Sequence, residues 1–400
     1  MFYLKLKFLC ILIMKYINRL YSSRTHLYNN IITYKNTLCD INKAVTILPD
    51  VYKNKTFFDN EKDKIFKQSW IPLGYTNQFN EKTNIIPTTI HNIPIILTKD
   101  KSNKILGYYN VCRHRGCKLV TDAKNAKAIT CPYHYWSYSL NGNLLTTPSF
   151  KPRTKDFHKA NYSLFPINIS ICNNIIFGNL NTHNPSCITK DFGNFFDLLK
   201  HYPLDKCSIV KTHKYYINCN WKLLIDNFIE YYHLPAVHKE LVKVSTMHGH
   251  KCTQKDGLYI SFKTDPLGQS DFPIDPNKSP PFKNLPIENR NLAHFGMLFP
   301  NMFIFLFPNH MFSVIIEPIN STESIEHAIL LTESDANKTW INDLWNFYDK
   351  VNKEDIKICE AVQQGIECDV YNGGRMVPEF ESTIHRFHKM IIHKMTDSHT

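Results

Sequence analysis

The chain has 400 residues, 43% hydrophobic, 13% aromatic and 20% charged. That is enough apolar material for one large core or two, and it excludes a disordered chain. The net charge of +12 is uneven: the first 39 residues hold Lys5, Lys7, Lys15, Arg19, Arg24 and Lys35 and no acid. The rest carries no basic block, so no nucleic-acid partner is expected.

The leader, residues 1–44, contains one apolar stretch, Phe8 to Met14. This is far short of the roughly 20 residues a membrane span needs, so no span is expected. Basic, Ser-containing and almost free of acid, the leader reads as a transit peptide to the mitochondrial matrix or another organelle. A secretory signal, a plain extension or an early start codon are the alternatives, the last two leaving a cytoplasmic protein. Twelve scattered cysteines are no disulfide framework, and reduced thiols are expected.

Residues 45–69 predict a short helix carrying Phe57, Phe58, Ile65 and Phe66, followed by a strand. From 70 to 165 the texture is β, with runs such as IPIILT and KILGYYNV, and Asn141-Gly142 predicts a two-residue hairpin turn with both residues at positive φ. Residues 182–206 read as a connection and 252–292 as surface loops. Strands resume at MFIFLFP, FSVIIEPI and IEHAILLTE, before a long helix, WINDLWNFYDKVNKEDIKICEAVQQGI. The fold class is α+β: a small all-β domain over 70–165 and a larger domain over 166–400 with an antiparallel sheet and helices.

Two constellations carry chemistry. Cys112-x-His114 and Cys131-x2-His134 are separated by 16 residues, each at the end of a strand. Zinc accepts two Cys and two His, but zinc fingers place like ligands together. One Cys and one His per loop suits a [2Fe-2S] cluster in which one iron takes both thiolates and the other both imidazoles, as in Rieske centres. Four unconnected buried side chains are the bland reading. The pattern, with Arg115-Gly116 after the first His, resembles the Rieske motif; Cys117 reads as packing. Where that motif usually has glycine after its second His, this chain has Tyr135. A positive φ there would store about 1–2 kcal/mol of strain. A negative φ would let the ring cover the cluster or meet a neighbouring subunit.

The second constellation lies in NWKLLIDNFIEYYHLPAVH, residues 220–238. His233 and His238 would diverge by about 140° on a regular helix. Pro235 between them disrupts the turn and lets both rings swing to one side. Two imidazoles and one carboxylate form the facial triad of non-haem Fe(II) oxygenases. For the carboxylate, the long helix offers Asp355, in line with the apolar stripe Ile341, Leu344, Tyr348, Val351, Ile358 and Val362. A buried carboxylate calls for a cation, so Asp355 ranks ahead of Glu354, Glu360 and Asp369, with a helix-capping or salt-bridged Asp as the plain alternative.

Together these residues resemble the Rieske non-haem iron oxygenases of α-subunit type, over roughly residues 45–390. The tail ESTIHRFHKMI is similar to that family's last helix. The resemblance implies a helix-grip catalytic domain, a mononuclear Fe(II), and electrons from NAD(P)H through a separate ferredoxin or flavin reductase. It implies Glu230 as an acceptor linking His134 to His233 across subunits of a homotrimer, and Asn227 steadying the site. A glutamate at 230 looks like the choline and carnitine monooxygenase branch, which makes O2 and choline the first substrates considered and betaine aldehyde the product. For choline, Phe295, Phe299, Phe303, Phe305, Phe307, Tyr231 and Tyr232 are candidates to face the ammonium, although plain core packing would look the same. Carnitine-like, aromatic or sterol-like substrates are the alternatives, as is a non-catalytic Rieske electron carrier.

Overall fold

The structure, a computed structural model, describes residues 27–151, 155–243, 245, 248–264, 273–275 and 278–396. The apolar stretch at Phe8–Met14 and most of the basic leader lie outside the described residues. The leader's last part does not stand apart from the fold. Tyr28, Tyr34 and Ala44 are buried in the same core as the catalytic helices, and Thr37 offers its carbonyl to His385 at 2.8 Å. Residues 27–44 are therefore part of the folded protein, because their aromatic side chains have a core to enter.

The small β domain contains β1 (Ile71–Tyr75), β2 (Ile85–Ile90), β3 (Ile93–Lys99), β4 (Ile105–Tyr109), β5 (Ala128–Thr130), β6 (Ser137–Ser139), β7 (Leu144–Thr146), β8 (Pro166–Cys172) and β9 (Ile175–Asn179). One antiparallel sheet runs β1-β9-β8-β4-β3-β2, and β5-β6-β7 form a smaller one. The sheet of this domain runs on beyond 165 to residue 179, since β8 and β9 pair with β4 and β1. The expected hairpin joins β6 and β7, but through a longer loop in which Gly142 alone has positive φ (+77°). A Cβ on Gly142 would come within 2.5 Å of the Tyr108 ring.

The larger domain holds a seven-stranded antiparallel sheet. Its strands are β10 (Cys207–Ile217), β11 (His250–Cys252), β12 (Tyr259–Thr264), β13 (His294–Leu298), β14 (Met302–Phe307), β15 (His310–Asn320) and β16 (Glu323–Glu333), ordered β10-β16-β15-β14-β13-β12-β11. β12 lies inside the segment read as surface loops; its run YISFKT is buried between β11 and β13.

Helices α1 (Lys55–Glu61), α2 (Ile188–Leu199), α3 (Trp221–Phe228), α4 (Leu234–Val237), α5 (Lys338–Ile366) and α6 (Ser382–Thr396) complete the fold. α2 occupies the segment read as a bare connection. Alternation along the strands sorts the two faces of the sheet. Ile304 and Leu306 pack on Phe192, Phe195 and Phe196 of α2, while Phe303, Phe307 and Phe312 face the core shared with α3, α5 and α6. Each buried Phe contributes about 2 kcal/mol.

The buried face of α5 drifts from the expected stripe. After Tyr348 it runs through Asn352, Asp355, Cys359, Gln363 and Ile366, leaving Ile358 and Val362 exposed. Two of its polar members are paired: Asn352 donates to Glu326 (2.8 Å), and Gln363 accepts from the Asn220 backbone (2.9 Å). Hydrogen bonding therefore admits amides where the apolar pattern does not.

Candidate metal centres and active site

The first Cys/His pair follows β4 and the second follows β5, so the two loops meet at the tip of the small domain. The loops are built alike. Gly116 donates its backbone N–H to Cys112 (3.0 Å), and Tyr135 donates its own to Cys131 (3.1 Å). Both donors have positive φ, +73° and +59°. Tyr135 therefore adopts the strained alternative, with its ring 65% exposed.

Cys112 and Cys131 are buried, and the rings of His114 and His134 lie 4.6 Å apart, with Trp136 stacked on His114. Nδ1 of His134 is buried and has no hydrogen-bond partner in the structure. A buried imidazole nitrogen left bare beside two thiols is what a metal-ligating atom looks like, so these residues fit a [2Fe-2S] cluster. Tyr138 accepts from the backbone of Arg113 (3.0 Å), which leaves its hydroxyl proton for Cys112 Sγ, 3.3 Å away. A hydrogen bond to a ligand sulfur tunes a cluster's potential. Tyr138 was not singled out from sequence, although it lies four residues past His134.

The second centre forms where α3 ends. His233 precedes and His238 follows the single turn of α4, whose second residue is Pro235, and the two rings converge with Nε2 atoms 3.3 Å apart. Asp355 Oδ1 lies 2.9 Å from Nε2 of His238 and 3.5 Å from Nε2 of His233. Ligands held at right angles about 2.1 Å from one metal ion lie about 3.0 Å apart, so the three atoms fit one face of an octahedral ion. Of the rival carboxylates, Glu360 accepts from Asn218 (2.9 Å) and Asp369 is exposed.

Glu354 lies on the far side of the His238 ring from Asp355, with Oε2 2.8 Å from Nδ1 of His238. Glu230 contacts Nδ1 of His233 in the same way. Each carboxylate accepts an Nδ1–H and so presents the Nε2 lone pair to the metal position. Burial lowers the pKa of His233, but the hydrogen bonds it donates to Asp355 and Glu230, with the charge of both carboxylates, outweigh burial and hold the group up at about 9. For Asp355 burial acts upward, and the two imidazoles overcome it to hold the carboxyl below its ordinary value. Three carboxylates, Asp355, Glu230 and Glu354, thus face two imidazoles, a donor set suited to a divalent cation. Among the described residues no hydrogen bond joins Glu230 to His134 within one chain.

A cavity of about 120 Å³ adjoins the triad. Of the expected aromatics, Phe295, Phe305, Phe307 and Tyr231 line it; Phe299 and Phe303 are core, and Tyr232 stacks on Phe380 outside. Phe228, Phe262, Phe312, Phe347 and Tyr348 also line it. These five come from four separate elements, α3, β12, β15 and α5, a convergence that spacing along the chain does not reveal. Asn227 borders this cavity and a second one, which Glu230, His233 and the exposed Ile358 and Val362 share.

Known proteins agree with this arrangement. Residues 69–165 match the Rieske [2Fe-2S] domain and residues 204–397 the ring hydroxylating alpha subunit (catalytic domain). The chloroplastic choline monooxygenase of Atriplex hortensis is 25% identical over 354 residues, covering 86% of this chain and 77% of that protein. The carnitine monooxygenase oxygenase subunit of Acinetobacter pittii is 24% identical, covering 82% of this chain and 87% of its own. The crystal structure of the quaternary ammonium Rieske monooxygenase CntA with an inhibitor superposes with a TM-score of 0.79 at 21% identity, over 90% of this chain and 98% of that one. The mitochondrial destination expected from the leader finds no support here, the plant relative being chloroplastic. Among the described residues no helix is long and apolar enough to cross a membrane. With a Rieske domain followed by a ring-hydroxylating catalytic domain, the chain belongs to the Rieske non-haem iron oxygenases of α-subunit type, and it is an oxidoreductase.

Proposed function

We propose that the protein hydroxylates a C–H bond of a small quaternary-ammonium substrate, choline first, giving betaine aldehyde. The observation that carries this reading is the cavity beside the triad. Its walls are aromatic faces, which attract an ammonium that has no N–H to donate, and Glu230 and Asp355 border it. The choline and carnitine monooxygenases among its relatives support the same substrate class.

In this reading Cys112, His114, Cys131 and His134 hold the cluster, and His233, His238 and Asp355 hold Fe(II). The metal, left with open positions by three protein ligands, supplies the activation of O2. Glu230 and Glu354 keep a proton on each Nδ1, so both imidazoles stay aligned. The aromatic walls exclude water, and Asn227 steadies the metal end. With Nδ1 of His134 turned inward, its Nε2–H is free to face outward. Glu230 of a neighbouring subunit accepts it in a homotrimer, so that electrons pass between chains. A separate ferredoxin or flavin reductase delivers those electrons from NAD(P)H.

The test is product analysis by mass spectrometry with choline, L-carnitine and an aromatic acid, using a generic reductase. Betaine aldehyde from choline is expected. Turnover of the aromatic acid alone would overturn the substrate class, and turnover retained in His233→Ala would overturn the iron assignment.

A further inference from the structure

Asn227, Ser245, His250, Thr264, Asn352 and Tyr348 are polar lining residues outside the metal triad, and the Tyr348 hydroxyl has its proton direction fixed by a buried histidine. Tyr348, two turns before Asp355 on α5, lines the cavity with its ring stacked on Phe312 (4.2 Å, 5°). Its hydroxyl lies 2.7 Å from Nε2 of His310, which is fully buried.

The direction of every proton in this chain follows from one backbone carbonyl. The carbonyl of Ser279 can only accept, so Asn309 meets it with Nδ2 (2.9 Å) and turns Oδ1 towards His310. That oxygen also can only accept, so Nδ1 of His310, 2.7 Å away, carries the proton. Burial pushes the pKa of His310 down to about 3, which keeps the ring neutral and leaves a lone pair on Nε2. Tyr348 must then give its only proton to His310. Its oxygen is left as an acceptor and cannot donate.

The charge of the lining points the same way. Among the described residues, no lysine or arginine lines the cavity. Apart from the ligand histidines, the titratable nitrogen on the described lining is that of His250, stacked on Tyr231. A carboxylate placed against Tyr348 would meet an oxygen lone pair and no lysine or arginine of the described lining, at the cost of its own dehydration. A hydroxyl would instead find an acceptor prepared for it.

Resting on the quaternary-ammonium reading above, we propose that Tyr348, oriented by His310, is the specificity-determining residue. It selects a cation with a neutral hydroxyl terminus and rejects zwitterions that end in a carboxylate.

The test is isothermal titration of the holoenzyme at pH 8 with choline, ethyltrimethylammonium, glycine betaine and L-carnitine. Choline should bind at least about 10-fold more tightly than either carboxylate, and Tyr348→Phe should weaken choline about 5-fold while leaving ethyltrimethylammonium unchanged. His310→Leu, which returns a proton to Tyr348, should narrow the gap between choline and glycine betaine. Glycine betaine or carnitine binding as tightly as choline would overturn the proposal, as would a Tyr348→Phe loss equal for both cations. Failure of every probe to bind a folded, iron-loaded enzyme would instead overturn the quaternary-ammonium reading, and this assignment with it.

Discussion

Glu354 Oε2 lies 2.8 Å from Nδ1 of His238, on the edge of the ring opposite the 2.9 Å contact between Nε2 and Asp355. Neighbours in sequence thus hold both sides of one imidazole, and only one of them is placed to touch a metal. Glu354→Ala should keep all three ligands yet lower iron affinity about 10- to 100-fold. Asp355→Ala should empty the mononuclear site and leave the Rieske spectrum intact, taking the iron content from about three to about two per chain. Iron retained after dialysis against a chelator measures both. Equal retention in Glu354→Ala and the wild type would show that Glu354 is idle.

Tyr135, at φ +59°, occupies backbone space that glycine enters freely. Tyr135→Gly should stabilise the protein by about 1 kcal/mol, and Gly116→Ala, at the matching position of the other loop, should cost about as much. A Cβ at Gly116 meets nothing within 4 Å, so that cost is backbone strain alone. Thermal melting checks both, and stopped-flow reduction of Tyr135→Gly shows whether the ring at the cluster tip also affects electron entry.

Glu326 is fully buried, with Oε2 bonded to Asn352 and Oε1 without a partner. Burial raises its pKa to about 8, with the charge of Asp355 adding to the effect. The folded protein therefore holds a proton that the unfolded chain releases above the ordinary carboxylate range. Stability falls as pH rises from about 4.5 towards about 8. Glu326→Gln removes this dependence and should stabilise the protein by on the order of 2 kcal/mol at pH 7.5, with the gain shrinking towards pH 5. Denaturant melts at the two pH values test it; an equal gain at both would contradict the assignment.

Lys222 and Glu61 form an ion pair at 2.6 Å with side chains 1% and 0% exposed, and Trp221 donates to the same carboxylate. This pair ties α1 to α3, the helix that leads to Glu230 and His233. Lys222→Met should destabilise by about 3–5 kcal/mol because it strands a buried carboxylate, while adding Glu61→Gln should recover most of the loss. A double variant as unstable as the single one would mean that packing, not charge, is at stake.

The sequence by itself determined the family and the order of the two domains, and it named the candidate ligands. Cys112, His114, Cys131 and His134 sit on short loops where spacing along the chain is nearly spacing in space. His233 and His238 were legible for the same reason, since one turn broken by Pro235 separates them. Asp355 was reached from periodicity, but Ile358 and Val362 lay on the same apparent stripe and face outward. A periodic pattern reports apolar surface and is blind to buried amides such as Asn352 and Gln363, which the tertiary structure satisfies. Only that structure decided that Glu354 meets His238, that β8 and β9 join the sheet of the small domain, and that Tyr348 and His310 meet across 38 residues. Those relations depend on which strand lies beside which and where α5 crosses the sheet. They arise from long-range packing, which local residue preferences do not encode.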